Sequence, residues 1–295
     1  MGVVLRTPGV DEVGEICRVL GEWQHDGEPL HLHPGDLGWY SLRGPAATAA
    51  ATRVWSQGDT SLAIALLDGP ELLRFAIDPM RRQDAALARR IVGDVNNPTA
   101  GILNAGAATI EARGAVALIE QLAQNDWSPD EPWTPLHHDM AATPKTSGFQ
   151  IETVEPSLTA EWAAVHWSAF RGTPIPSGRI QRFVDGWRLA AKSPFLDLGR
   201  ILSLRSSDGH VVAVAAVWSA GGGRPGLIEP LAVHQEHRGR GYGTAMTSEA
   251  VDQLRQMGSS SAVVCAETSN TGAVATYLAA GFTAQPEVTD WHRSA

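Results

Sequence analysis

Apolar and polar positions along the chain form short strand-like runs and longer stretches of helical period, and this order of elements occurs twice. In the first half, residues 3–6, 61–67, 71–77 and 107–111 predict strands. Residues 10–23, 79–92 and 114–124 predict helices. The stretch 27–50, rich in His, Pro and Gly, predicts no element. In the second half, strands are predicted at 149–154, 201–204, 211–218, 227–233 and 261–266. The turn Ser206-Ser207-Asp208-Gly209 joins the second and third of these as a hairpin. Helices are predicted from Pro156, with Ser157, Thr159 and Glu161 in the first turn, to about 170, and at 177–191, with Ser177 as cap. Two more follow at 241–257, closed by Gly258, and at 271–280, closed by Gly281. The final strand is expected to be short or completed by the other half.

Residues 72–78 align with 228–234 at an offset of 156, and residues 114–117 with 272–275 at an offset of 158. Two blocks at nearly one offset point to duplicated domains, 1–141 and 149–295. Residues 142–148 between them have linker composition. The expected class is α/β (α+β), each domain a mixed, mostly antiparallel sheet flanked by helices.

Composition narrows the function. Hydrophobic residues make up 43% and charged residues 19%, which places the chain among globular proteins. The longest apolar run, residues 211–218, is too short to span a bilayer, so no membrane partner is expected. The start of the chain has no signal-peptide pattern. Cys17 and Cys265 form no CxxC pair and read as reduced thiols of a cytoplasmic protein. A formal charge of −9 argues against nucleic-acid binding and is compatible with a cationic amine substrate. His31, His33, His137 and His138 lack a persuasively spaced third ligand, so no metal is expected and they read as polar loop residues. A monomer or homodimer is expected.

The strongest local signal is the segment from Leu231 to Met246. A buried strand ends at Leu231-Ala232-Val233, a turn holds Arg238, Gly239, Arg240, Gly241, Tyr242, Gly243 and Thr244, and a helix begins. Free N–H groups at a helix start bind anions, glycine lets a phosphate approach the backbone, and arginine adds charge-assisted bonds. The segment fits neither a Rossmann fingerprint nor a P-loop.

This pattern resembles the pyrophosphate motif of the GNAT superfamily (Gcn5-related N-acetyltransferases) in Arg238, Gly241 and Gly243. A second block, Asn270 with Ala273, Tyr277 and Gly281-Phe282, resembles the family's segment after the fifth strand. The resemblance covers residues 149–295 and implies acetyl-CoA as cosubstrate. It implies that groups near Leu231 and Val233 hold the pantetheine arm and polarise the thioester, and that Asn270 touches the arm. It further implies Tyr277 as general acid and Glu229 as general base for a primary amine. His234 and His237 read as turn residues. The acceptor is expected against the loop 171–176. Trp167, Phe170, Trp187 and Trp218 lie at hand, though aromatics at this spacing usually belong to the core.

In the first half, Arg82 stands opposite Arg238, but Ala85 and Leu87 face Gly241 and Gly243, and Asp84 lies where phosphate would sit. Leu73, Ala112 and Ile119 stand opposite Glu229, Asn270 and Tyr277. A degenerate first domain follows, with a structural role or a share in the acceptor pocket. The sequence therefore predicts a tandem-domain N-acetyltransferase of a small-molecule amine, active in the C-terminal domain. The alternatives are a non-catalytic CoA sensor and an acetyltransferase of protein amines.

Overall fold

The computed structural model describes residues 2–140, 148–154, 159–190 and 195–295. The helix start expected at Pro156 and Ser157, and residues 142–147 of the linker, lie outside them.

In the first half, strands β1 (Val4–Arg6), β2 (Thr52–Gln57), β3 (Thr60–Leu67), β4 (Leu72–Ile77), β5 (Ala108–Glu111) and β6 (Ser128–Asp139) accompany five helices. These are α1 (Val13–Glu22), α2 (Pro34–Tyr40), α3 (Pro45–Ala51), α4 (Ala85–Val95) and α5 (Val116–Ala123). The second half contributes β7 (Gln150–Thr153), β8 (Gly199–Arg205), β9 (Val211–Trp218), β10 (Gly226–Val233), β11 (Ser261–Glu267), β12 (Thr283–Ala284) and β13 (Val288–Arg293). Its helices are α6 (Thr159–Arg171), α7 (Ser177–Ala190), α8 (Tyr242–Gln256) and α9 (Thr271–Ala279).

Among the described residues the strands form one sheet in the order β1-β2-β3-β4-β5-β13-β6-β11-β10-β9-β8-β7, with β12 beside β6. Pairing is antiparallel except at β4–β5 and β10–β11, the corresponding pair in each half. Each parallel pair needs a crossover, which α4 and α8 supply.

The halves exchange their last long strands. β6 of the first half runs beside β11 from Ser261↔Asp139 to Glu267↔Trp133, while β13 pairs with β5 at Trp291↔Ile110. β6 carries Pro129, Pro132 and Pro135, a composition that argues against a strand and hid it from pattern reading. Proline lacks the N–H but keeps its carbonyl. Pro132 accepts from Thr268 N at 3.0 Å and Pro135 from Gln285 N at 2.9 Å.

Residues 27–50, assigned no element from sequence, hold α2 and α3. Each starts on a proline, whose fixed φ suits the first helical turn. Helix α2 packs directly on the second half. A Cβ added to Gly35 would stand 2.5 Å from Trp218 Cβ, and one added to Gly38 would stand 2.5 Å from its Cζ3. Trp218 and Trp187 are fully buried, so both belong to the core. Trp39 of α2 enters the same aromatic group, with ring centroids 5.9 Å from Trp162 and 6.3 Å from Trp187.

Candidate active site

The turn after β10 is built by glycine. A 3-10 turn at Gln235–His237 ends the strand, and Gly239 and Gly241 adopt φ of +74° and +81°, a region that L side chains avoid. Gly241 is the N-cap of α8, and no side chain caps the helix, so its first N–H groups stay open to a ligand. A Cβ at either glycine would meet nothing within 4 Å, so open space lies in front of the turn. Gly243 is required for a different reason: its Cβ would come 3.0 Å from Thr276 Cγ2, where α8 crosses α9.

A cleft of about 590 Å³ runs from this turn. All the residues expected to hold the cofactor line it except Arg240, whose Nη2 donates to Glu236 O at 3.3 Å. Arg238 is braced by Ala169 O at 2.8 Å. His237 lines the cleft with its ring 5.5 Å from that of His234, and its Nδ1 is buried without a described partner.

At its inner end the cleft meets the gap between β10 and β11. These strands pair only at Gly226↔Ala262 and Leu227↔Val263 and then diverge. β10 bulges over the cis Glu229-Pro230 bond and rejoins β9 at Leu231↔Ala215. Its edge toward β11 is therefore open from Ile228 onward.

A second cavity, about 370 Å³, lies on the inner side of the gap. Phe170, Leu231, Asn270, Ala273 and Tyr277 line both spaces. Tyr277 is 7% exposed, and its hydroxyl has no hydrogen-bond partner among the described residues. Burial, reinforced by the charge of Glu229, raises its pKa, so the phenol keeps its proton and can donate it. Asn270 caps α9, its side chain accepting from Ala273 N at 3.2 Å.

Glu229 opens into the second cavity with its side chain 33% exposed, while Trp218 Nε1 holds its main-chain oxygen at 2.7 Å. Around it stand residues of the first half that sequence reasoning missed. Arg74 Nη2 is 3.6 Å from Glu229, its Nη1 3.0 Å from Asp36, and its Nε 3.3 Å from Asp68 and 3.6 Å from Glu111. Arg113 grips Asp290 with Nε and Nη2, both at 3.0 Å. Burial raises the Glu229 pKa, and Arg74 partly opposes the shift. Burial pushes Asp36 up to about 8, again against Arg74. No local motif marks Asp36, Arg74, Glu111 or Arg113; only the tertiary arrangement brings them to the site.

Elsewhere the expectations shift. The loop 171–176 does not line the cavity, although neighbouring Phe170 does. His31 and His33 lie in the loop before α2, as expected, but are buried, whereas His137 and His138 stand in β6 rather than in a loop. His33 Nδ1 accepts from Gly35 N at 2.9 Å, and its Nε2 meets Pro225 O at 3.1 Å, joining the halves. His31 lines the second cavity.

The corresponding region of the first half is closed. Asp84 caps α4, its Oδ1 accepting from Ala86 N and Leu87 N at 3.0 Å each, so a carboxylate already fills the anion position. Arg82 is paired with Glu28. The gap between β4 and β5 is filled by the chain's own segment. Leu32 N donates to Phe75 O at 3.0 Å, and Phe75 is the counterpart of Leu231 at the 156 offset. A Cβ added to Gly114 would come 3.1 Å from Pro29. The structure corrects two pairings. The N-cap of α5 is Ala115 and that of α9 is Asn270, so Ala115 and Leu122, rather than Ala112 and Ile119, stand opposite Asn270 and Tyr277. The offset at these helices is 155 rather than 158, so the short sequence match lay three residues out of register.

Comparison with known proteins bears on the family and the fold. Residues 163–282 match the model of the acetyltransferase (GNAT) family. The chain is 29% identical over 224 residues to a mycothiol acetyltransferase of Sanguibacter keddieii, a match spanning 73% of this chain and 66% of that protein. The fold resembles a tandem GNAT protein from the clavulanic acid biosynthesis pathway, with TM-score 0.61 and 14% identity over 99% of this chain and 98% of that one. It also resembles a GCN5-related N-acetyltransferase from Sphaerobacter thermophilus, with TM-score 0.59 and 18% identity over 99% and 95% of the two chains. Identities this low speak for the fold alone. The sequence match thus identifies an acetyltransferase (GNAT) family domain at residues 163–282, and the curated relative and the shared fold point the same way.

Proposed function

We propose that the chain is an N-acetyltransferase that moves an acetyl group from acetyl-CoA to a primary amine of a small molecule, with its active site in the second half. The observation that carries this reading is the continuity of the two spaces. An uncapped glycine turn, suited to a diphosphate, leads to a junction where one phenol lines both spaces and one carboxylate lines the inner one. The likeness to a mycothiol acetyltransferase supports a small-molecule acceptor. The two halves correspond to domains 1–141 and 149–295, and we place the protein in the cytoplasm, where acetyl-CoA is available. No described helix is long and apolar enough to cross a membrane.

The main-chain N–H groups at the start of α8, with Arg238, hold the diphosphate. The pantetheine arm adds to the open edge of β10, and main-chain groups near Leu231 and Val233 polarise the thioester carbonyl. The acceptor amine loses its proton to Glu229, directly or through water, and its lone pair attacks the carbonyl carbon. When the C–S bond breaks, Tyr277 protonates the departing thiolate, so CoA leaves as the free thiol. Acetyl-CoA does not fit the first half, where Asp84 and the segment ending at Leu32 occupy the equivalent positions.

The test is release of free thiol from acetyl-CoA with a library of small amines. Amine-dependent release lost in Tyr277→Phe supports the enzyme. Acetyl-CoA binding without amine-dependent release in either form would indicate a sensor.

A further inference from the structure

We propose that the acceptor cavity admits amines that carry no acidic group, and that the first half imposes this selection. The inference rests on the N-acetyltransferase reading and names the substrate class of its acceptor site.

The charges on the cavity wall are unequal. Four carboxylates line it, those of Asp36, Glu111, Glu229 and Glu267, against two guanidiniums, those of Arg74 and Arg113. Two further carboxylates stand directly behind, Asp68 at 3.3 Å from Arg74 and Asp290 at 3.0 Å from Arg113. Both cations are committed. Arg74 contacts Asp36, Asp68, Glu111 and Glu229 at 3.0 to 3.6 Å. Arg113 gives two nitrogens to Asp290, lies 3.9 Å from Glu111, and stacks over the Trp133 ring at 5.3 Å. The remaining titratable lining group, besides Cys265 and Tyr277, is His31, which burial holds neutral.

Among the described residues, an entering carboxylate or phosphate would thus meet surplus negative charge and no uncommitted cation. An ammonium would meet Asp36 and Glu229, with Asp290 behind them, three carboxylates that burial and neighbouring negative charge have pushed toward protonation, and would replace their protons as counter-charge. Of the four lining carboxylates, Asp36 and Glu111 come from the first half, as do both guanidiniums. A half with a closed cofactor cleft therefore supplies much of the charge that selects the acceptor. Discrimination of this kind works by leaving the wrong partner unpaired.

Matched pairs of probes test the idea: tyramine against tyrosine, and glucosamine against glucosamine 6-phosphate, followed by thiol release at pH 7.5. The α-amine of tyrosine is the less basic of its pair and offers more neutral nucleophile, so that bias runs against the proposal. The acid-free member is expected to show a kcat/KM at least about tenfold higher. Glu111→Gln and Asp36→Asn are each expected to narrow that ratio by at least about threefold. Melting temperature and acetyl-CoA binding identify which variants fold. Equal or reversed preference in the parent overturns the selection while leaving the acetyltransferase reading intact. An unchanged ratio in the folded variants overturns the role of the first half. If acetyl-CoA binds but no amine accelerates thiol release, it is the enzymatic reading itself that fails.

Discussion

Arg74 Nη2 lies 3.6 Å from Glu229 Oε1, although their strands, β4 and β10, are five steps apart in the sheet. A flat sheet would separate them by about 24 Å at ~4.8 Å per step. The sheet must curl so that its two parallel pairs face each other across the acceptor cavity, with the strand exchange at β6 and β13 in the middle. The curl gives one half's arginine to the other half's candidate base. The guanidinium opposes the rise that burial imposes on the Glu229 pKa. Its removal must raise that pKa further, so the base stays protonated to higher pH. Arg74→Gln should shift the acid limb of kcat/KM toward higher pH and lower the rate on that limb about tenfold. Arg74→Lys should recover part of the shift. A pH–rate series on the three proteins measures it.

In the proposed reaction Tyr277 donates in the last step, and it makes no described hydrogen bond that its loss would break. Tyr277→Phe should therefore reduce kcat by about 10²- to 10⁴-fold. Acetyl-CoA affinity should change by less than about threefold, and the melting temperature hardly at all. Stopped assays with calorimetric titration separate the two effects.

In the proposed reading Gly241 serves the diphosphate in two ways, through its positive φ and through the side chain it lacks. Gly241→Val would strain the cap by about 1–3 kcal/mol and place methyl groups in the open space before α8. Acetyl-CoA affinity is expected to fall at least about 100-fold. In the parent, calorimetry should find one acetyl-CoA per chain, because Asp84 and the segment ending at Leu32 fill the first half's equivalent. A stoichiometry of two would contradict that assignment.

The contrast between Gly241 and Asp84 was legible in the sequence, because both act through the backbone of their own turn. Tyr277 and Asn270 were legible for the same reason: their spacing along one helix fixes where they stand. The acceptor site was not. Asp36 sits in a segment whose helices begin on proline and lack apolar periodicity, and Arg74 reads as an ordinary polar residue of a strand. β6 was hidden by three prolines, so the exchange that curls the sheet was hidden with it. Long-range pairing and charge clustering leave no local pattern.

The contact between halves at Gly35 and Trp218 should be intolerant of even one methyl group. An alanine Cβ at Gly35 would overlap Trp218 Cβ at 2.5 Å, and both are anchored to backbone rather than at the end of a flexible chain. Gly35→Ala is expected to destabilise the protein by about 1–3 kcal/mol. Because α2 also carries Asp36, acceptor KM should rise as well, while acetyl-CoA binding stays intact. Thermal unfolding and steady-state kinetics on one variant measure both.

Stability should vary with pH in a way that separates the buried histidines from the buried acids. His33, His31 and His166 are held neutral, with pKa values lowered to about 3, 4 and 4. The unfolded chain binds protons on them first, so their contribution is complete above about pH 6.5 and is lost as pH falls toward 4. Asp36 works oppositely: its pKa is raised to about 8, so the folded state holds a proton that the unfolded chain has released. That contribution is complete below about pH 4 and is lost as pH rises toward 8. Between pH 4 and 6.5 the two effects oppose each other, three histidines against one aspartate, but between 6.5 and 8 the histidines contribute nothing further and Asp36 remains. The melting temperature should therefore decline from pH 6.5 to 8, by the equivalent of at most about 2 kcal/mol. In Asp36→Asn, which has no proton to lose, the curve over that interval should be nearly flat. A decline of the same size in the variant would show that a different group holds the proton.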